Sequence, residues 1–403
     1  MSIATRPGFL RDSLSAWGAA ANGITAQTSA GRTKYWNHWC KYATAAGIDP
    51  FLHPSSVSPL ERDIVAGAFA ARVRTGEYGR GNQIRVGGVS EALAAVSKTI
   101  ELAGQPSMLY RAEGKYQLFL ERVVEGFRRE DPPSVPQLAV PVSVATTAFR
   151  LGMQTKSAKE RHTGCLILIA FYFLLRVGEY TQPDLILRGG KKVRASRTVQ
   201  FTVGNVGFFR KGKILPRASS LDVLITADLA TLKISNQKNG RMGQTISHHC
   251  TGSKLCPVRA LAYITHHILH HGGSDSDLIS TYYSRGDWFT ITSKQVISKV
   301  RNAVKELQLH EMGIDPDLVG AHSLRAGGAM ALKLHGFDDT TIMKIGRWTS
   351  LTFLQYIHNQ IAHLSKDVSK KMSIELPFVN VAAIEPAKIK ENQAEQQEQV
   401  RKH

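Results

Sequence analysis

A chain of 403 residues exceeds one ordinary domain and points to two or three. Its hydrophobic content of 43% excludes a disordered protein, and 51 Lys+Arg against 32 Asp+Glu, a net charge of +19, favours a polyanionic partner: nucleic acid first, an anionic membrane surface second. The longest apolar run, Cys165–Leu175, is too short to span a bilayer and reads as a buried core helix; no basic-then-apolar signal opens the chain, and four scattered cysteines make no disulfide framework. An intracellular protein is expected, nuclear if eukaryotic and otherwise in the cytoplasm or nucleoid.

Residues 10–130 read as mostly helical, with Ala- and Leu-rich segments broken by Gly and Pro clusters. One helix is predicted from Thr28 or Ser29 to a stop at Gly47. Trp36, Trp39, Cys40 and Ala43 share one of its faces, a spacing that normally buries and that is read as core rather than as a base-stacking platform. Further helices are predicted near 59–75, 88–103 and 115–129. Asp131–Pro141 holds four prolines, which prevent a regular helix and mark a linker.

After the linker, helices are predicted near 142–153 and 157–177. A β-rich stretch follows: TVQFTVGNVGFF, LDVLIT, ATLKIS and QTISHH carry β-branched residues in partial alternation. Helices return at 257–271, 293–307, 322–335, 338–346 and 350–363. The tail from Ser373 is polar and rich in Gln and Glu, either disordered or folding on a partner.

The chemistry-bearing residues fall in chain order. Arg176 closes the apolar helix, with Glu179 one turn later; the two could form a plain ion pair or a functional site. Asn236–Gln244, a basic turn around Asn-Gly, is a hairpin signal that would present Lys238 at its tip. His322 and Arg325 are three apart and share a helix face, where Arg offers a planar fork matching two phosphate oxygens. Gly327 and Gly328 follow; two glycines inside a helix each cost about 1 kcal/mol relative to Ala, and close approach of another backbone is one compensation. Gly346-Arg347-Trp348 then precedes Tyr356, eight residues beyond the tryptophan.

This ordered set resembles the tyrosine recombinase (phage integrase) family, whose pattern is Arg-x-x-Glu, a hairpin Lys, His-x-x-Arg, Gly-His or Gly-Trp, and a nucleophilic Tyr about nine residues on. The form HSLRAGGA, GRWTS and F-L-x-Y looks most like recombinases of eukaryotic mobile elements of the Crypton and DIRS kind. The tryptophan-to-tyrosine gap here is shorter by one residue, about 100° on an ideal helix. The resemblance implies a mainly α fold. An N-terminal helical core-binding domain (1–135) and a Pro-rich linker (131–141) would precede a mixed α+β catalytic domain with a small antiparallel sheet (142–372) and a polar tail (373–403). The two domains would close as a C-shaped clamp on double-stranded DNA, as a homodimer on one site and a homotetramer in the synapse.

The resemblance further implies site-specific strand transfer without metal, cofactor or ATP. Tyr356 would attack a phosphodiester to give a 3′-phosphotyrosyl bond, Arg176 and Arg325 would hold the non-bridging oxygens, and Lys238, or Lys233 in its place, would protonate the leaving 5′-oxygen. His322 would assist proton transfer, Trp348 would donate its indole N–H, and Glu179 would orient its neighbours.

Charge supports a DNA partner. Residues 136–372 carry 31 of the basic and 15 of the acidic residues, and Leu185–Leu221 has nine Lys+Arg and no acid. Phosphate contacts are expected from Arg188, Lys191, Lys192, Arg194, Arg197, Lys211, Lys213 and Arg241. Near Cys250 and Cys256 stand His248 and His249, and HHILHH adds His266, His267, His270 and His271. The cysteine spacing is unusual for zinc, so these are read as helix-surface histidines and no metal is expected. Two other functions fit the same residues: a recombinase-derived DNA-binding protein that no longer cuts, and a type IB topoisomerase.

Overall fold

The computed structural model describes residues 15, 23–79, 81–109, 117–133, 138–183, 185–188, 191–195, 198–235, 243–320, 322–351 and 354. These residues are mainly helical, with a small antiparallel sheet, two large hydrophobic cores and a small third cluster around Ala329 and Ile342.

Four helices surround the first core. α1 (Ala26–Ala45) begins at Thr25, whose hydroxyl accepts from the Thr28 N–H at 3.1 Å. Trp39 and Ala43 are fully buried and Trp36 and Cys40 half-buried, so the aromatic stripe is core. Trp39 Nε1 donates to the Pro50 carbonyl at 2.7 Å, which satisfies the ring's one polar atom. α2 (Pro59–Arg74) starts on a Ser58–Glu61 capping box with Pro59 in the first turn. α3 (Val86–Leu102) and α4 (Leu118–Glu130) complete the set. Gln117 gives α4 no side-chain cap, and Asp63 of α2 supplies one: its carboxylate accepts from Phe119 N at 3.0 Å and Leu120 N at 3.1 Å. Asp131, the first linker residue, belongs to this core. It pairs with Arg74 and accepts from Val86 N at 2.8 Å.

The second core is built on α5 (Val142–Met153) and α6 (Ala158–Tyr172). Residues 162–171 of α6 are all buried, as the apolar run predicts. The short helix α7 (Val177–Tyr180) follows at once. A hairpin, β1 (Leu185–Arg188) with β2 (Lys191–Arg194), stands apart from the main sheet. That sheet has β3 (Val206–Arg210), β4 (Lys213–Leu215), β5 (Leu229–Lys233) and β6 (Thr245–His249) in the antiparallel order β4-β3-β5-β6. α9 (Pro257–His270), the hairpin β7 (Thr281–Ser284) and β8 (Asp287–Thr290), and α10 (Ser293–Glu306) come next, then α11 (Ser323–Leu334) and α12 (Asp339–Gly346).

The expected strand LDVLIT is instead a helical turn, α8 (Leu221–Leu224), with Ser220 as N-cap residue and Asp222 in its first turn. A short alternating run is ambiguous between strand and helix; here the Val223 and Leu224 N–H groups close on the Ser220 carbonyl at 3.1 and 3.0 Å, without a capping bond from the serine side chain. The two glycines of α11 do admit other backbone. A Cβ on Gly327 would sit 2.0 Å from the Val140 carbonyl oxygen, and one on Gly328 would sit 2.5 Å from that of Phe171. The linker end and the end of α6 thus lie directly on α11, and Val140 N donates to Ser323 O at 3.3 Å.

Three histidines are held neutral by this packing. His162 of α6 is 3% exposed and donates through Nε2 to the Ile279 carbonyl at 2.7 Å; burial lowers its pKa to about 3. His267 of α9 accepts at Nε2 from Tyr283 N at 3.1 Å, so its proton sits on Nδ1; burial and nearby His271 bring it to about 4. His248 of β6, packed edge-on against Phe173, is also lowered by burial to about 4. The HHILHH histidines are therefore not all on the surface: His266 and His267 are half-buried while His270 and His271 are exposed, and all four line a cavity with His162.

These folded-state pKa values lie below the ordinary 6.5. The unfolded chain therefore binds protons first as pH falls, and stability is complete above about 6.5 and drains away toward 4. At pH 5 the fully buried His162 costs about 2 kcal/mol, and the partly buried His248 and His267 less. The urea midpoint should fall markedly between pH 7.5 and pH 5.0, with a shallower fall in His162→Gln. An equal midpoint at both pH values would remove this account.

Candidate active site

The end of α6 sets the site. Leu174 adopts φ +48°, a left-handed conformation that costs a branched side chain about 1–3 kcal/mol. The turn aims the Leu174 carbonyl at two arginines from the far end of the chain. Arg325 Nη1 of α11 donates to it, as does Arg347 Nη2 at 2.9 Å.

Glu179 is the second convergence point. It accepts from the Arg176 backbone N–H at 2.8 Å, from Arg176 Nη1 at 3.3 Å, and from Arg347 Nη1 and Nη2 at 3.2 and 3.1 Å. The last two form a forked pair between side chains 2% and 3% exposed. The simple Arg176–Glu179 ion pair is thus the lesser half of a triad. Arg176, its side chain 19% exposed, is its most open member.

Arg347 was not singled out in the sequence, where it is only the middle of Gly-x-Trp. It is the C-cap of α12 at φ +60°, a second strained non-glycine residue. Burial pulls its guanidinium below the ordinary arginine pKa, and Glu179 opposes the shift. Its only sequence signal is a cation placed just after a helix end.

Arg325 is 1% exposed. Its Nη2 donates to the Gly346 carbonyl, and its Cζ lies 4.2 Å from the centroid of the Trp348 ring. Trp348 therefore offers Arg325 its ring face, a cation–π contact. Gly346 is required beneath it, since a Cβ there would fall 1.7 Å from the indole.

His322 is the exposed N-cap residue of α11, one turn before Arg325. Lys238 lies outside the described residues, but the two strands predicted to flank it are paired. β5 and β6 pair from Leu229↔His249 to Lys233↔Thr245, and Ile234 and Gln244 continue the pairing. Lys233 is exposed at the end of β5. Tyr356 lies outside the described residues, as does most of the expected 350–363 helix.

The basic stretch is more ordered than a plain loop. Lys191 and Lys192 are exposed on β2, and Lys211 and Lys213 are exposed at the β3–β4 turn. Arg188 and Arg194 belong to β1 and β2, and the placement of their side chains is not described; Arg197 and Arg241 fall outside the described residues. Among the described residues no group of three His, Cys, Asp or Glu is placed to hold a metal ion, and no helix is long and apolar enough to cross a membrane.

No family model matches the sequence, and no curated protein matches it. Solved structures do. The XerH site-specific recombinase bound to difH substrate is 14% identical over 77% of this chain and 70% of its own, with a TM-score of 0.42. The Tn1549 transposon integrase in complex with transposon right end DNA is 10% identical over 77% and 85%, with a TM-score of 0.40. The XerA recombinase is 13% identical over 85% and 99%, with a TM-score of 0.35. These scores mark a likeness in the path of the chain, and no residue of this protein takes a role from them.

Proposed function

We propose that this protein is a tyrosine recombinase that cuts and rejoins double-stranded DNA through a 3′-phosphotyrosyl intermediate. One observation carries the reading: Arg176, Arg325 and Arg347, drawn from three distant segments, converge on the Leu174 carbonyl and the Glu179 carboxylate, with the Trp348 ring against Arg325. Arg176 and Arg325 then bind the phosphate, Tyr356 attacks phosphorus, and the 5′-oxygen leaves with a proton from Lys238 or Lys233. The bond energy is kept in the phosphotyrosine, so the 5′-hydroxyl can return without ATP. Lys191, Lys192, Lys211 and Lys213 contact backbone phosphates. The helical unit before the linker and the unit after it close around the duplex, and the working assembly is a tetramer. Integration or excision of a mobile element of the Crypton and DIRS kind is the biological role that fits the Gly-Arg-Trp form.

Arg325 at 1% exposed favours a second reading, a DNA-binding protein that does not cut. Under the first reading, DNA binding must uncover its guanidinium. Incubation with a nicked suicide duplex in EDTA decides between them. A recombinase gives an adduct that survives denaturation, with the DNA on the tryptic peptide 348–366, whose one tyrosine is Tyr356. Duplex binding without any adduct would select the silent protein. Relaxation of a plasmid that lacks a cognate site would select a topoisomerase.

A further inference from the structure

Away from the arginine cluster, two cysteine sulfurs lie 3.6 Å apart. Cys250 follows β6 directly, and its backbone N–H donates to Asp228 O at 2.7 Å. Cys256 is the N-cap residue of α9 and is fully buried, whereas Cys250 is partly exposed. The loop between them is shaped by its own side chains. Ser253 N donates to Thr251 Oγ1 at 3.4 Å, Leu255 N donates to Ser253 Oγ at 3.1 Å, and Gly252 sits at φ +74°. Thr251 N points at Cys256 Sγ from 3.5 Å. Both thiols are thus held facing each other by a short loop fixed at each end.

We propose that Cys250 and Cys256 are a redox modification site, forming a reversible disulfide by exchange with a small disulfide of the glutathione type. Three observations support it. The sulfurs need to close by about 1.5 Å to reach bonding distance. Cys250 is the partly exposed member of the pair, and so the one a small reagent meets first. At Cys256, burial pushes the thiol up, and the Thr251 and Arg259 backbone N–H groups, the Thr251 side chain and Cys250 together hold it below its ordinary pKa. The start of a helix is where a thiolate is best stabilised.

The exchange runs in two steps. The Cys250 thiolate attacks one sulfur of the small disulfide and releases one small thiol, leaving a mixed disulfide. The Cys256 thiolate then attacks the Cys250 sulfur and releases the second small thiol. The protein thiols give up two electrons and two protons, and the two released thiols take them up. Excess small thiol reverses both steps. The bond ties β6, the return strand of the hairpin around Lys238, to the start of α9. The inference does not depend on the recombinase reading.

The test uses the full-length protein in glutathione buffers of rising disulfide content, quenched in acid, alkylated and digested with trypsin without reductant. Lys254 lies between the two cysteines, so trypsin separates peptide 242–254 from peptide 255–259. The expected product is these two peptides joined, with half of the four thiols lost together while Cys40 and Cys165 stay alkylated. The joined pair should vanish on adding excess reduced glutathione. Both peptides alkylated throughout, or each carrying its own glutathione, would overturn the proposal. In Cys250→Ser, Cys256 should remain a free thiol under the same buffers; its rapid glutathionylation would overturn the assignment of Cys250 as the first sulfur attacked.

Discussion

Arg325→Ala should slow formation of the phosphotyrosyl adduct about 10²–10³-fold, the usual cost of removing one preorganised donor from a developing phosphoryl charge. It should also weaken the fold. The guanidinium supplies donors to the Leu174 and Gly346 carbonyls and a cation to the Trp348 ring. Taking the donor from the buried Gly346 carbonyl costs about 1–3 kcal/mol, while the Leu174 carbonyl keeps Arg347 Nη2. Arg325→Lys separates the two effects. A lysine keeps the charge but cannot fork between two carbonyls while lying flat on the indole, so it should recover part of the stability and little of the cleavage rate. Single-turnover trapping alongside urea denaturation reads both. An alanine variant that traps DNA at the wild-type rate would take Arg325 out of the reaction.

Much of this arrangement is legible in the sequence, and the parts that are not share a cause. Helix positions follow local signals: Ser58-Pro59 with Glu61, and Asp338, whose side chain accepts from Thr341 N, each mark a start. Gly327 and Gly328 announce a close backbone approach, although the sequence does not say which backbone arrives. The hairpins β1–β2 and β7–β8 were not anticipated. The turn of the second is Arg285-Gly286 with both φ values positive, +53° and +86°, where an Asn-Gly pair would have given the usual signal. The first is hidden by its own charge, which reads as a set of phosphate contacts and carries no strand signal. Arg347 is the clearest gap. Its importance comes from a carboxylate 168 positions earlier, and nothing local distinguishes it from a surface arginine near a helix end. Local chemistry writes itself into spacing, whereas a buried pair between distant segments exists only once the chain has folded.

That pair gives the second large effect. Glu179→Ala leaves the Arg347 guanidinium, 2% exposed, without its counter-charge. Removing one partner of a buried ion pair typically costs about 3–5 kcal/mol, and Arg347→Met should cost less, because the Arg176 backbone and guanidinium still donate to the carboxylate. Replacing both partners with Met should return most of the lost stability, because the pair's attraction largely offsets its own desolvation and apolar residues of like volume avoid both. Cleavage by the double variant then separates scaffold from positioning. Glu179 also accepts from the Arg176 backbone and side chain, and Arg347 shares the Leu174 carbonyl with Arg325. If the pair fixes the two arginines proposed to bind phosphate, the stable double variant should still bind DNA and trap it slowly, with the loss in the maximal rate and not in the DNA concentration needed for half-saturation. A double variant that regains stability and cleavage together would make the Glu179–Arg347 pair a structural strut and leave Arg176 and Arg325 to position themselves.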